Sequence, residues 1–410
     1  MNTESTTEFK SLNLLPSILT QVEAKGYINP TPIQVQAIPP LLEGKDLLGI
    51  AKTGSGKTAA FSLPLIDKLG RNRMSVTPNH IRSLILSPTR ELATQIENNI
   101  ISYAEGLELK TKVVFGGVSK QPQIDALNLG LDVLIATTGR LLDLIERGHI
   151  KFDELEVFVL DEADMMLDMG FLGDVKKVIS FLPQEKQTLL FSATMARPIE
   201  NLANHLLNKP VKVEVDTESS LVETIEQKIY TVEKINKSYL LHSMLEEPEL
   251  TSVLLFCKTK FGAERIIENL ERISVRCAAI HSNKSQGERE KALTAFRKGE
   301  VRVLVATDIA ARGIDIKNVS HVINYNLPED PRNYIHRIGR TGRLGNKGTA
   351  ISFCVESEVV LLKNIGKLIK RKIEIDPNQP FHKEISLSFK ASAKSKNKKK
   401  KKQRQRRRKK

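Results

Sequence analysis

DLLGIA at 46–51 runs straight into KTGSGKT at 52–58, an apolar strand-like stretch followed by a glycine-rich loop and then by a helix-like pattern. That order is the context a phosphate-binding loop requires. Gly54 and Gly56 let the backbone curl so that its N–H groups face an anion, and a helix opening near Lys57 adds its positive end. Within Ala51, Lys52, Thr53, Gly54, Ser55, Gly56, Lys57 and Thr58, the lysine is placed to bridge the β and γ phosphates of ATP. The Thr58 hydroxyl is placed to ligate Mg²⁺. Ala51 stands where such loops usually begin with glycine.

Outward from this loop the same alternation repeats. SLILSP (83–88), DVLIAT (132–137), VFVLDE (157–162) and TLLFSA (188–193) read as further strands. SVLLFC (252–257), RCAAIH (276–281), VRVLVA (301–306), SHVINY (320–325) and TAISFC (349–354) follow after a polar stretch. Continuous Val/Ile/Leu runs with amphipathic stretches between them predict parallel sheets covered by helices on both faces. The fold class expected is α/β, with two tandem parallel-sheet domains. Apolar periodicity lapses near 210–225, which sets the expected domains at 1–215 and 216–378, with a basic, disordered tail over 379–410.

The 410 residues carry a net charge of +15, but 13 Lys or Arg and no acid fall within 391–410. Residues 1–390 are left with 50 basic and 48 acidic side chains, a nearly neutral body. A cationic tail on such a body suits a polyanion, nucleic acid ahead of an anionic membrane. It also reads as a solubilising tail or an address. No apolar run reaches the length of a membrane span. MNTESTTEFK at the start is polar and acidic, which predicts no signal or transit peptide. Three scattered cysteines point to a reducing, cytoplasmic setting.

Polar residues recur where predicted strands end: Pro88–Arg90, Thr137–Arg140, Asp161–Asp164, Ser192–Thr194 and Thr307–Asp315. In open α/β sheets ligands bind at that edge. Asp161, Glu162 and Asp164 follow VFVL directly, and carboxylates there are costly unless a cation or polar network meets them. Asp161 is a candidate partner of Mg²⁺, partly through water, and Glu162 a candidate general base. An acidic helix N-terminus is the plainer alternative.

Asp161–Asp164 spell DEAD, and over about residues 9–355 the chain resembles the DEAD-box family of ATP-dependent RNA helicases. The resemblance implies two RecA-like domains and ATP hydrolysis stimulated by RNA. It implies that Gln34 in GYINPTPIQ (26–34) reads adenine, that Tyr27 stacks on the base, and that Phe9 is the isolated upstream aromatic. HRIGRTGR (336–343) holds three arginines, the residue suited to bidentate phosphate contact. By resemblance, Arg340 and Arg343 are fingers toward the γ-phosphate and Asp315 bonds the ribose. Asp164, Ser192, Thr194, His336 and Arg337 are the coupling set, Arg337 and His336 being expected to tie onto the carboxylates and Ser192–Thr194.

Pro88, Thr89 and Arg90, Gly116 and Gly117, Thr138, Gly139 and Arg140, Gln286 and Arg289, and Thr307 resemble the RNA-contacting motifs. Thr138 replaces the family's proline, which removes a fixed φ and predicts a looser loop. The chain has no Trp, so base stacking gives way to phosphate and 2′-OH contact, with little sequence preference. Structured or duplex RNA is the partner implied, within a ribosomal or RNA-decay particle or in cold growth, for a monomer. Three activities stay open: local duplex separation, an ATP-gated RNA clamp, and DNA translocation.

Overall fold

A computed structural model of the chain describes residues 8–52, 54–215, 225–311, 316, 319–342, 348–370 and 373–385. Residues Thr53, Asp315 and Arg343, and the tail from 386, lie outside the described residues. The first lobe holds β1 (Leu47–Ile50), β2 (Ile81–Leu86), β3 (Thr111–Val114), β4 (Leu131–Ala136), β5 (Val157–Leu160), β6 (Gln187–Ser192) and β7 (Val211–Glu214). The second holds β8 (Ile225–Thr231), β9 (Val253–Cys257), β10 (Cys277–Ile280), β11 (Val303–Thr307), β12 (His321–Asn324), β13 (Gly348–Cys354) and β14 (Glu374–Ile375). The sheets run β3-β4-β2-β5-β6-β1-β7 and β10-β11-β9-β12-β13-β8-β14. All named pairings are parallel. Strand for strand the two orders are the same, so the chain is one architecture built twice.

Helices cover both faces, as parallel strands require. β2, β4, β5 and β6 are buried along their whole length. Each lobe has two apolar clusters, one per sheet face. Gly49 in β1 leaves the room that Phe191 of β6 fills, since a Cβ there would lie 2.5 Å from its ring. That ring packs on Phe61 of the helix after the phosphate loop, with centroids 5.5 Å apart. The loop is thereby seated on the sheet.

At the opposite edge, Arg82 of β2 is fully buried yet satisfied. Its Nε donates to Glu156 at 2.8 Å, Nη1 to Asp132 at 3.1 Å and Nη2 to the Asn72 carbonyl at 2.8 Å. A charge so placed is tolerated only with such partners. It staples the amino ends of the strands and leaves their carboxyl ends free for chemistry.

Two expectations need correcting. β7 lies inside the stretch read as a polar boundary, where alternating Val211, Lys212, Val213 and Glu214 hide only one face. The second lobe also extends past 378 to Ile385. Gln379 Nε2 donates to the Thr231 carbonyl at 3.0 Å, and His382 bridges antiparallel to Val232. The short tail start is therefore folded onto β8. Among the described residues no helix is long and apolar enough to cross a membrane. The three thiols are free, and burial pushes Cys257 and Cys277 up to about 11 and Cys354 to about 12, so none is poised as a thiolate.

Candidate nucleotide and nucleic-acid site

β1 ends at Ile50 and the helix Lys57–Arg71 begins with the loop's lysine. Gly54 and Gly56 both have positive φ, 86° and 99°, which only glycine adopts without strain. A Cβ on Gly56 would come within 2.5 Å of the Gln34 amide. Gln34 is buried at the start of the helix Pro32–Leu42. Its Oε1 accepts the Thr31 N–H at 2.8 Å and its Nε2 donates to the Gly56 carbonyl at 3.2 Å. The side chain that resembles an adenine reader thus also braces the phosphate loop, keeping one amide hydrogen and one lone pair for a base.

Lys57 is 5% exposed, donates to the Ala51 carbonyl at 2.9 Å and pairs with Glu162 at 3.0 Å. Burial by itself would lower its pKa, but Glu162, Asp161 and Asp164 outweigh that and hold the ammonium above its ordinary value. Burial pushes the Asp161 carboxyl up to about 7, the Glu162 charge adding to it and Lys57 opposing. One ammonium thus faces three carboxylates. The deficit fits a divalent cation, and the hard oxygens of Asp161 and Thr58 suit Mg²⁺. Among the described residues no cluster of three or more acidic, His or Cys side chains forms an all-protein metal cage. A cation here would rest on few protein oxygens and on phosphate.

Glu162 takes left-handed backbone, φ 52° and ψ 51°, between β5 and the helix Ala163–Asp168. Such strain in a non-glycine residue costs of order 1 kcal/mol and is retained where a side chain must point one way. Asp164 Oδ2 accepts the Thr194 N–H at 2.9 Å and its hydroxyl at 3.0 Å. The Ser192 hydroxyl donates to the Thr194 carbonyl at 2.7 Å. The acidic motif and the segment after β6 are therefore one hydrogen-bonded unit, as the coupling expectation requires.

Tyr27 is half exposed, its hydroxyl sharing a hydrogen bond with Tyr103, whose own pKa burial pushes far up. Phe9 is buried in the first-lobe core with Leu12. Its place is a packing position.

Around the other strand ends the RNA-like motifs converge. Thr89 caps the helix Arg90–Tyr103, its Oγ1 accepting the Leu92 N–H at 3.3 Å. The Arg90 guanidinium lies against Gly117, where any Cβ would collide with it. Arg140 Nη2 donates to the Val118 carbonyl at 3.0 Å. Thr138 opens the helix Thr138–Glu146 and is 3% exposed, so burial holds the position that a proline ring was expected to hold. The loop is not loosened. Gln286 opens the helix Gln286–Arg297, and Arg289 pairs with Glu91 of the first lobe at 2.8 Å. Thr307 ends β11.

Several buried polar atoms at these strand ends have no protein partner among the described residues. They are Ser87 Oγ, Thr94 Oγ1, Gln123 Oε1, Arg140 Nη1, Gln286 Oε1 and Arg289 Nε. Buried polar atoms are normally bonded, so a cluster of orphans marks where a polar ligand completes them. Ser87, Thr94 and Gln123 were not singled out from sequence. Ser87 does lie inside the stretch that ends at Pro88, and its place at a strand end is the signal that was there to read.

In the second lobe Arg337 departs from expectation. It grips Asp308 of its own lobe, at 2.6 and 2.8 Å, and also the Asn324 side chain and Asn326 carbonyl. Its guanidinium lies over Phe256. Four local partners saturate the fork, so it fixes the finger segment to the second sheet rather than to the DEAD carboxylates. Arg340 and His336 line the same small cleft with Asp308 and Phe256.

Comparison with known proteins agrees with this geometry. The DEAD/DEAH box helicase model matches residues 31–202 and the helicase conserved C-terminal domain residues 233–345. The chain is 40% identical to the DEAD-box ATP-dependent RNA helicase RhpA of Helicobacter pylori, over 90% of this chain and 73% of that one. It is also 40% identical to CshA of Bacillus cereus, over 90% and 69%. Among solved structures it resembles S. cerevisiae Dbp5 bound to RNA and ADP–BeF3, with TM-score 0.79, 32% identity and coverage of 90% and 94%. A DEAD box protein of Methanococcus jannaschii gives TM-score 0.52, 39% identity and coverage of 90% and 99%. A phosphate loop braced by Gln34, a DEAD turn bonded to Thr194 and two sheets of one topology place the chain in the DEAD/DEAH box helicase family.

Proposed function

We propose that the chain is an ATP-dependent RNA helicase, hydrolysing ATP in response to RNA and using closure of its lobes to separate short duplexes locally. The observation that carries this is the buried Lys57–Glu162 pair at the foot of the phosphate loop. It puts a phosphate-binding cation and a general base within one hydrogen bond of each other. Lys57 and the loop N–H groups hold the phosphates, Gln34 and Tyr27 the adenine, and Asp315 the ribose. Glu162 draws the proton from the attacking water while its strained backbone keeps the carboxylate aimed. When bound, Mg²⁺ offsets phosphate charge, held by Thr58 and, through water, by Asp161. Arg340 and Arg343 complete the site from the second lobe, where Arg337 anchors their segment.

RNA lies across the strand ends of both lobes, on Arg90, Gly117, Arg140, Gln286, Arg289 and Thr307. The orphaned atoms there support that path. Contacts of this type read backbone and 2′-OH, so sequence preference is small. The lobes overlay better on Dbp5 with RNA and ADP–BeF3 than on the M. jannaschii chain, although the latter is closer in sequence. This supports a closed, RNA-competent arrangement. One chain completes one site, which supports a monomer. The basic tail suits a cytoplasmic ribonucleoprotein target such as a ribosomal or RNA-decay particle.

A duplex-release assay with the whole chain tests the reading. Many duplexes released per molecule with ATP, and none with a non-hydrolysable analogue, is the expected result. Tight RNA binding without multiple release would make it a clamp, and equal stimulation by DNA would remove the RNA assignment.

A further inference from the structure

Besides Arg289–Glu91, a second ion pair crosses between the lobes, next to the catalytic segments. Arg332 Nη2 lies 3.1 Å from Asp168 Oδ1. Asp168 is the last residue of the helix Ala163–Asp168, which starts inside the DEAD motif. Arg332 lies in the first turn of the helix Pro331–Ile338, whose far end leads to Arg340. The pair thus joins the amino end of the finger helix to the carboxyl end of the DEAD helix.

Exposed ion pairs are usually weak, because ordering two long side chains offsets a screened attraction. Here most of the ordering is done within the second lobe. Asp330 caps the helix by accepting the Arg332 N–H at 2.9 Å. It also holds the guanidinium, with Nη2 at 2.6 Å and Nε at 3.1 Å. The fork is therefore fixed before it meets Asp168. The hydrogen bond from Asp330 favours its charged form first, and Asp168 and Asp164 add to that. Asp168 is mostly buried, its side chain 11% exposed, so the partner is also held still. Helices rise about 1.5 Å per residue, so a small swing at Arg332 is carried along the finger helix toward Arg340.

We propose that Arg332, oriented by Asp330, is a positioning residue that latches the second lobe onto Asp168 and sets where the fingers meet the nucleotide. The inference rests on the reading of the chain as a two-lobed, RNA-dependent ATPase. Its weight falls on closure, so half-saturating RNA shifts more than turnover at saturation.

The test is a charge-swap cycle in the full chain: Arg332→Asp, Asp168→Arg and both together. Two readouts are taken, the RNA concentration giving half-maximal ATP turnover, and lobe closure by fluorescence transfer with RNA and a non-hydrolysable ATP analogue. Each single reversal should raise the half-maximal RNA concentration about fivefold at low salt, less at high salt, and the double swap should return it to within about twofold. Should the reversals melt early, Arg332→Gln and Asp168→Asn provide a milder cycle, with non-additive shifts of about twofold. Single variants that close like the parent, or a double swap no better than the worse single, would overturn the latch. Absent RNA-stimulated turnover in the parent would count against the proposed function alone, because closure is read without hydrolysis.

Discussion

The ends of β1 and β8 occupy the same place in two identical topologies, and they hold opposite solutions to one problem. After β1 comes a glycine loop and then Lys57, buried, bonded to the Ala51 carbonyl and paired with Glu162 at 3.0 Å. After β8 comes a short polar turn and then Lys237 at the head of the helix Lys237–Leu245, also buried. It donates to the Tyr325 carbonyl at 2.7 Å and pairs with Glu358 at 3.0 Å. The two ammonium groups look alike, yet their settings differ. Lys57 faces three carboxylates that keep its pKa high, whereas burial dominates at Lys237 and lowers it, Glu358 compensating only in part. In the second lobe the pair is a closed structural tie, and no glycine cradle stands beside it. What separates an engine from a scaffold here is the loop and the surplus of negative charge, not the fold.

That contrast can be broken at several strengths. Lys57→Ala should abolish productive ATP binding and leave no measurable turnover, in equilibrium binding with a labelled nucleotide and in a phosphate-release assay. Arg340→Ala should lower RNA-stimulated turnover about 10³-fold while nucleotide affinity changes little, because a finger supplied from the second lobe acts on the transition state. Glu162→Gln should leave ATP and RNA bound but cut turnover at least about 100-fold, and normal turnover would remove it as the base. Lys237→Met should leave Glu358 buried without its ammonium and cost about 3 kcal/mol, read by denaturant unfolding, with ATP affinity in the first lobe unchanged. A Lys237 variant that lost ATP binding directly would erase the distinction between the lobes. Removing 391–410 should give the smallest effect. It should weaken RNA binding at low salt, with a slope of about −0.7 in log affinity per phosphate released, at unchanged saturated turnover.

Legibility followed burial. The strands read from sequence are the continuous apolar runs of the sheet interiors, such as IRSLIL and LDVLIA, which are buried on both faces. β3, β7, β8 and β14 escaped because one side meets solvent and the residues alternate or turn charged, as in VKVE and IEQKIYT. The first-lobe site was legible because phosphate chemistry demands contiguous residues at fixed spacing. Partnerships between distant segments were not. Arg337 reads as one of three arginines, and only the structure shows Asp308 and Asn324 saturating it. Asp168 and Arg332 carry no local signature, since a carboxylate ending one helix and an arginine opening another look like ordinary surface charge.

The bond between Lys57 and Glu162 also bears on waste. With no triphosphate at hand, the carboxylate that would draw a proton is tied up by the ammonium that would grip the fuel. An arriving polyphosphate competes for that same ammonium and so frees the carboxylate at the moment there is something to cleave. The site thereby times itself: the act of loading removes the safety.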